Sequence, residues 1–301
     1  MLVYDIQNLT KQYPDQSRPA NENITLQIEQ GEILGILGDN GAGKTTLVRQ
    51  MVNLLRSSSG SVRLFGQLVG QDDLFVPAYV GYMPQESAAL NHLTVSEALY
   101  FTAHLRGLSR AAARAERDRL LETWQLQARQ RTVCARLSGG QRRLLRLAVA
   151  VAGSPQVLIL DEPTNDLDPQ RRRLVWNTLR TINEEYQTTI VFITHDAIEA
   201  EKAVKRVVIM RDGRVVANGR PRDLKKQIDQ KLRLELFLPP GRTPDGLAGL
   251  EMQQRQPGHW FLLLDRTQVA DTLDAIDFDL VDDFRLYSAT LEDLYLYYAN
   301  Q

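Results

Sequence analysis

Of 301 residues only one, Cys134, is a cysteine, which excludes an internal disulfide framework and fits a reducing compartment. An excess of either charge is missing as well. Lys and Arg number 36 against 37 Asp and Glu, a net charge of −1, so the overall balance draws the chain to neither nucleic acid nor anionic lipid. A long apolar run is also absent. The longest candidate, LLRLAVAVAGSPQVLIL, contains Arg146 and is broken by Gly153, Ser154 and Pro155, whereas a membrane span needs about 20 uninterrupted apolar residues. It reads as a buried helix followed by a buried strand. The opening MLVYDIQNLT alternates like a strand and lacks a basic stretch followed by an apolar one, so no secretory signal is expected. What remains is an ordinary globular mixture, 43% hydrophobic and 24% charged, expected to be soluble and to meet a membrane only through a partner.

The length allows one large domain or two. Residues 1 to 36 read as short strands, VYDIQNLTKQY, NITLQIEQ and EILGIL, with turn residues between them. GILGDNGAGKTTLVRQMVNLL reads as buried strand, glycine-rich turn and helix, and SGSVRLFG as a further strand. From about 92 to 135 the periodicity is helical with no strand runs. That predicts a helical subdomain, about 86–152, inserted into an α/β core. Alternation then resumes with VLILD, a helix over QRRRLVWNTLRTINEEY, the strand TTIVFITH, a helix over AIEAEKAV and the strand RVVIM. Beyond about residue 231 a separate small α+β unit is expected. LRLELFL and HWFLLLD are its strands, RTQVADTLDAID and the aromatic-rich TLEDLYLYYANQ its helices, and FDLVDDFRLYS a further strand. The expected domains are 1–225 and 231–301.

Two stretches have the composition of phosphate cradles. GDNGAGKTT fits G-x-x-x-x-G-K-[ST] with Gly38, Gly43, Lys44 and Thr45. The glycines let backbone amides curl around phosphates, Lys44 reaches the β and γ phosphates, and Thr45 offers a hydroxyl to Mg²⁺. Asn40, Gly41 and Thr46 complete the loop. LSGGQ, at 137 to 141, places Ser138, Gly139, Gly140 and Gln141 at the start of a second helix, where free N–H groups and the helix dipole favour an anion.

Other residues join by position. Asp161 ends the buried strand VLILD, where its carboxylate can orient Mg²⁺ through water, and Glu162 beside it can act as general base on attacking water. His195 ends the next apolar strand, and parallel strands deliver their C-terminal ends to one crevice, within reach of a γ-phosphate. Gln85, in GYMPQES, stands between the first strands and the helical insertion, where its amide can touch Mg²⁺ or the water. Tyr13 offers a ring to stack on adenine. The arginines that follow, Arg142, Arg143 and Arg146, and then Arg171, Arg172 and Arg173, read as solvated helix faces with some charge near phosphate.

In this order — aromatic, phosphate loop, glutamine, LSGGQ, paired acids, DLD turn, histidine — the chain resembles the ATP-binding cassette (ABC) ATPases over about residues 1 to 225. The resemblance implies a P-loop NTPase core with an antiparallel β subdomain. It also implies ATP with Mg²⁺, and a head-to-tail homodimer in which Ser138 to Gln141 of one subunit cap ATP bound to the other. Asp168 matches the family's acidic position at the dimer seam, while family members more often carry a small residue where Asp166 stands. The helical stretch LTVSEALYFTAHLRGLSR and the ending TLEDLYLYY resemble ATPase subunits of ABC-2-type, drug-resistance and ABCA-like exporters. That implies docking on a separate transmembrane permease at the cytoplasmic face, with no nucleic acid. The competing class is a soluble ABC ATPase working on nucleic acid or ribosomes. One cassette, no long heptad insertion and no strongly basic arm weigh against it.

Overall fold

In a computed structural model of the chain all residues are described except 196–200, 202–203, 227–230, 240, 245–246, 248–249 and 300–301. Three strands are buried along their whole length: β3 (Ile33–Leu37), β7 (Val157–Asp161) and β8 (Thr189–Thr194). Strands apolar on both faces belong inside a sheet covered on both sides. With β6 (Val80–Met83), β9 (Arg206–Arg211) and β10 (Arg214–Gly219) they form a six-stranded sheet of order β10-β9-β3-β8-β7-β6, parallel except for β10. The register sets Leu37 beside Thr194, Asp161 beside Ile193 and Met83 beside Leu160. The residues after these strands, Gly38, Gln85, Glu162 and His195, therefore leave the sheet on the same edge.

A second, antiparallel sheet has β1 (Leu2–Lys11), β2 (Asn21–Glu29), β4 (Ser59–Leu64) and the short β5 (Gln67–Leu68) in the order β2-β1-β4-β5. In β2 buried and open positions alternate over Ile24, Leu26 and Ile28, as a half-buried strand requires. Its apolar face shares one core with Ile36, Ile159 and Ile193 of the parallel sheet and with Leu47 and Met51 of α1 (Lys44–Met51). The two-residue β5 and the five-residue α2 (Phe75–Tyr79) are too short to register as periodicity.

The inserted region is helical: α3 (Val95–Leu105), α4 (Arg110–Thr123) and α5 (Gly139–Val151). Each start has a side-chain cap. Thr94 and Glu97 form a reciprocal capping box, Ser109 accepts from the Ala112 amide, and Ser138 and Gln141 form a second box. Helix α6 (Pro169–Tyr186) begins with Asp168 as cap and proline at its first position. The helix expected over AIEAEKAV lies largely outside the described residues.

The chain divides into two compact units, Met1–Arg220 and Pro221–Gln301. The division precedes residue 225 because the helix Pro221–Lys225 packs against the helix Leu291–Ala299 of the second unit. That unit holds an antiparallel sheet of β11 (Leu232–Phe237), β12 (Met252–Gln256), β13 (His259–Leu264) and β14 (Asp283–Ser288), in the order β12-β13-β11-β14. Leu234, Leu236, Leu262 and Leu264 build its core. Of the strand expected over FDLVDDFRLYS only the second half is extended; Phe278–Leu280 form a 3₁₀ turn started by the Asp277 side chain.

Candidate active site

The phosphate loop closes on itself through its lysine. Lys44 is 6% exposed, and its ammonium donates to the carbonyls of Gly38 at 2.6 Å and Asp39 at 2.8 Å. Burial lowers its pKa, while the carboxylates of Glu162, Asp161 and Asp39 pull the other way. The loop takes its shape from a close approach at Gly43, where φ is +95° and a Cβ would lie 2.1 Å from the carbonyl oxygen of Ala20. No other residue fits there. Asn21, fully buried, holds this corner. Its amide donates to the Gly43 carbonyl at 3.0 Å and its oxygen accepts from Gln50 at 2.8 Å. Nothing in the motif points to Asn21, because its role arises from the packing of β2 beside α1.

Across from the loop, β7 delivers Asp161, 1% exposed. Its Oδ2 accepts from the Thr45 hydroxyl at 3.2 Å. Burial pushes its carboxyl above the ordinary range, the Thr45 hydrogen bond lowers it, and the charge on Glu162 raises it further. A hydroxyl and a carboxylate this close form the hard-oxygen pair that magnesium takes together with phosphate oxygens and water. Among the described residues no group of three or more His, Cys, Asp or Glu side chains is placed to hold a metal ion. The pair fits a cation that arrives with its phosphates and does not fit a self-sufficient metal cage.

Glu162 sits in the left-handed region, φ 50°, an uncommon place for a side chain with a Cβ. Its amide donates to the Ile193 carbonyl at 2.9 Å. Its carboxylate accepts from Nδ1 of His195 at 2.8 Å and from the Asn165 amide. The carboxylate is thus aimed by two donors while its backbone is pinned to β8.

These residues share one cavity of about 310 Å³, lined by Tyr13, Asn40, Gly41, Gly43, Lys44, Thr45, Thr46, Gln85, Asp161 and Glu162, with Gln16 and Ala20 in addition. Gly38 and His195 are outside that lining: Gly38 is the acceptor for Lys44, and His195, its side chain half exposed, donates to Glu162. Lys11 approaches the Tyr13 ring, its Nζ 5.3 Å from the ring centre. Arg146 fixes the segment at Gln85, donating to the carbonyls of Gln85 at 2.9 Å and Ser87 at 3.2 Å.

Among the described residues the lining of that cavity includes none of Ser138, Gly139, Gly140 or Gln141. Ser138 accepts from the Gln141 amide at 3.4 Å, and Gln141 returns a bond to the Ser138 amide at 3.2 Å. This cap leaves the helix tip exposed at Ser138 and Gly139. A Cβ built on Gly139 meets nothing within 4 Å. Asp168 is likewise outside the cavity; it caps α6 through the Arg171 amide at 2.9 Å and pairs with that guanidinium at 3.1 Å. The Arg171 amide bond holds its carboxyl below the usual range.

A family profile described as "ABC transporter" matches residues 21–165. The chain is 37% identical over 220 residues to Nod factor export ATP-binding protein I of Burkholderia pseudomallei (strain 1710b), covering 73% of this chain and 71% of that one. It is 36% identical over 231 residues to Phospholipid-transporting ATPase ABCA7 of Homo sapiens, covering 77% of this chain but only 11% of that much longer protein. Among solved structures, the ATP-binding cassette MJ0796, in a dimeric post-hydrolysis state bound to ADP and Pi, superposes with a TM-score of 0.67 at 25% identity, over 72% of this chain and 98% of that one.

Proposed function

The chain belongs to the ABC transporter family as one of its ATP-binding chains, and on that premise we propose that it hydrolyses ATP in a head-to-tail dimer to drive export through a separate transmembrane permease. The observation that carries the dimer is the open tip of α5. Gly139 is glycine although nothing in its own chain requires it, and the LSGGQ residues stand apart from the cavity that holds the phosphate loop. A second subunit's triphosphate supplies the missing reason, since bare helix amides and the helix dipole face it without a Cβ in between. MJ0796, the structural relative, is itself dimeric with ADP and Pi.

Within one site, the loop amides and Lys44 bind the β and γ phosphates, and Tyr13 stacks on the base. Thr45, Asp161 and the Gln85 amide hold Mg²⁺, which when bound neutralises charge on the phosphates. Glu162 accepts the proton of the attacking water, and His195 and Asn165 hold its carboxylate in line. His195 also stands beside the γ-phosphate. Capping by the partner's LSGGQ helix excludes water and completes the ring of donors around the γ-phosphate. Loss of that phosphate removes the contacts joining the subunits, and they separate.

No helix among the described residues is long and apolar enough to cross a membrane, and the separate permease enters the proposal by likeness to the Nod factor export ATP-binding protein I, of which the chain covers 71%. Export follows the naming of the Nod factor relative, and work at the cytoplasmic face is part of the same proposal. The alternative of a non-transport ATPase acting on nucleic acid or ribosomes has no observation in its favour. Replacing Glu162 with Gln tests the reading: ATP binding persists, turnover falls by about a thousandfold, and an ATP-held dimer accumulates in sedimentation. Turnover at the wild-type rate removes Glu162 from the base role. Purification from membranes with an attached polytopic protein tests the permease.

A further inference from the structure

Arg143 does not lie on a solvated helix face. It is 9% exposed, and its guanidinium reaches from α5 to the turn after β7. There Nη1 donates to the Glu162 carbonyl at 3.2 Å, and Nη2 lies 3.6 Å from Oδ2 of Asp166. We propose that Arg143 is a positioning residue for hydrolysis, carrying the placement of the LSGGQ helix and of the Asp166 turn to the backbone of the general base. The proposal rests on the dimer reading above.

The geometry makes the link mechanical. Arg143 stands one helical turn inside Gly139, about 6 Å along the axis, so it moves with the tip that engages the partner's nucleotide. A buried guanidinium needs an acceptor, and here it is the carbonyl of a residue held at φ 50°; the other amino group of the planar fork faces the Asp166 carboxylate at ion-pair distance, 3.6 Å. With the Glu162 amide tied to Ile193 on one side and the carbonyl tied to Arg143 on the other, the peptide units flanking its Cα cannot turn. The carboxylate therefore stays on His195. Releasing the carbonyl lets the residue relax toward ordinary φ and swings the carboxylate off the water's path.

The Asp166 carboxylate faces outward. Its side chain is 85% exposed, in a turn with φ 61°. Displacement of the turn at the seam draws on Arg143 and through it on Glu162. Each subunit's base in this way responds both to its own helix tip at the partner's ATP and to the turn beside it. The result is coupling between the two sites without a shared ligand.

The test compares Arg143→Met, Arg143→Lys and Asp166→Asn for kcat, KM for ATP and the Hill coefficient, in the full chain with its permease. For Arg143→Met, kcat falls about ten- to a hundredfold, the scale of a misplaced catalytic group, with KM for ATP little changed. Lysine restores part of the rate. Asp166→Asn lowers kcat about two- to fivefold, the scale of a partly exposed ion pair, and moves the Hill coefficient toward unity. Because Asp166 is exposed, its variant decides the matter even if Arg143→Met does not fold. Wild-type kcat and cooperativity in Asp166→Asn overturn the relay, as does a rise in KM at unchanged kcat in Arg143→Met. Trapping of an ATP dimer by Glu162→Gln in the same preparation separates the two ideas. If that dimer forms and the relay variants behave as wild type, the relay alone fails; if it does not form, the dimer reading fails.

Discussion

Gly43 and Gly139 both stand at the start of a helix in a glycine-rich phosphate cradle, yet they are glycine for different reasons. At Gly43 the chain itself forbids anything larger, by backbone conformation and by the Ala20 carbonyl 2.1 Å from where a Cβ would sit. At Gly139 the chain forbids nothing, since the same atom meets open space. The first cradle is closed within its own chain, with Lys44, Asn21 and Asp161 packed around it. The second is open, and in the proposed dimer the other subunit's triphosphate fills it. Composition cannot separate the two cases, because both read as small residues before a helix.

The largest effect that sharpens this contrast comes from Gly43→Ala. It forces a strained φ and a backbone clash, so thermal unfolding should show a loss of roughly 2–4 kcal/mol, and titration should show no ATP binding by the monomer. Gly139→Leu should leave folding within about 1 kcal/mol of wild type, since glycine is the poorer helix former. Monomer ATP binding should also persist, while hydrolysis falls about a hundredfold. Equal destabilisation by the two substitutions, or loss of monomer binding at Gly139→Leu, would erase the distinction.

A smaller effect comes from Asp161. Its folded-state pKa is raised, so the stabilisation it contributes is present below the ordinary carboxylate range and is lost as pH rises through its raised value. At neutral pH the buried ion is a burden. Asp161→Asn should therefore raise the melting temperature of the nucleotide-free protein and flatten its dependence on mildly acidic pH, while abolishing Mg²⁺-dependent hydrolysis. Melting curves at a series of pH values, without nucleotide or Mg²⁺, check the sign. The smallest effect pairs Ser138→Ala with Thr94→Ala. Both remove a capping-box hydroxyl at about 1 kcal/mol each by denaturant unfolding. Only Ser138→Ala should also slow hydrolysis, because in the proposed dimer only that helix tip meets nucleotide.

Much of the architecture was legible in the sequence because its signals are local. The apolar runs ILGIL, VLILD and TIVFIT can only be covered strands, and a glycine-rich turn between such a strand and a helix has few other uses. Gln85 and Tyr13, weak by themselves, became readable through motif order, and both line the cavity with the phosphate loop. The arginines after LSGGQ were not readable. Charge and helical spacing favour solvent for all of them, yet Arg143 is buried on Glu162 and Arg146 holds the Gln85 segment. Asn21 and Asn165 carried no signal beyond their nearness to a strand and a turn. The division after Arg220 likewise depends on which helix the segment Pro221–Lys225 packs against.

Sequence alone determined the kind of chain this is: alternating buried strands and helices, two glycine-rich helix starts and the paired acids that follow them, because periodicity and turn chemistry act over a few residues at a time. Only the tertiary structure decided which polar side chains are buried, what ties Glu162 in place and which cradle is complete. Those outcomes turn on contacts between segments far apart in the chain, such as Thr45 with Asp161 and Asn21 with Gly43. Whether a buried polar group finds its partner is settled by packing and not by spacing.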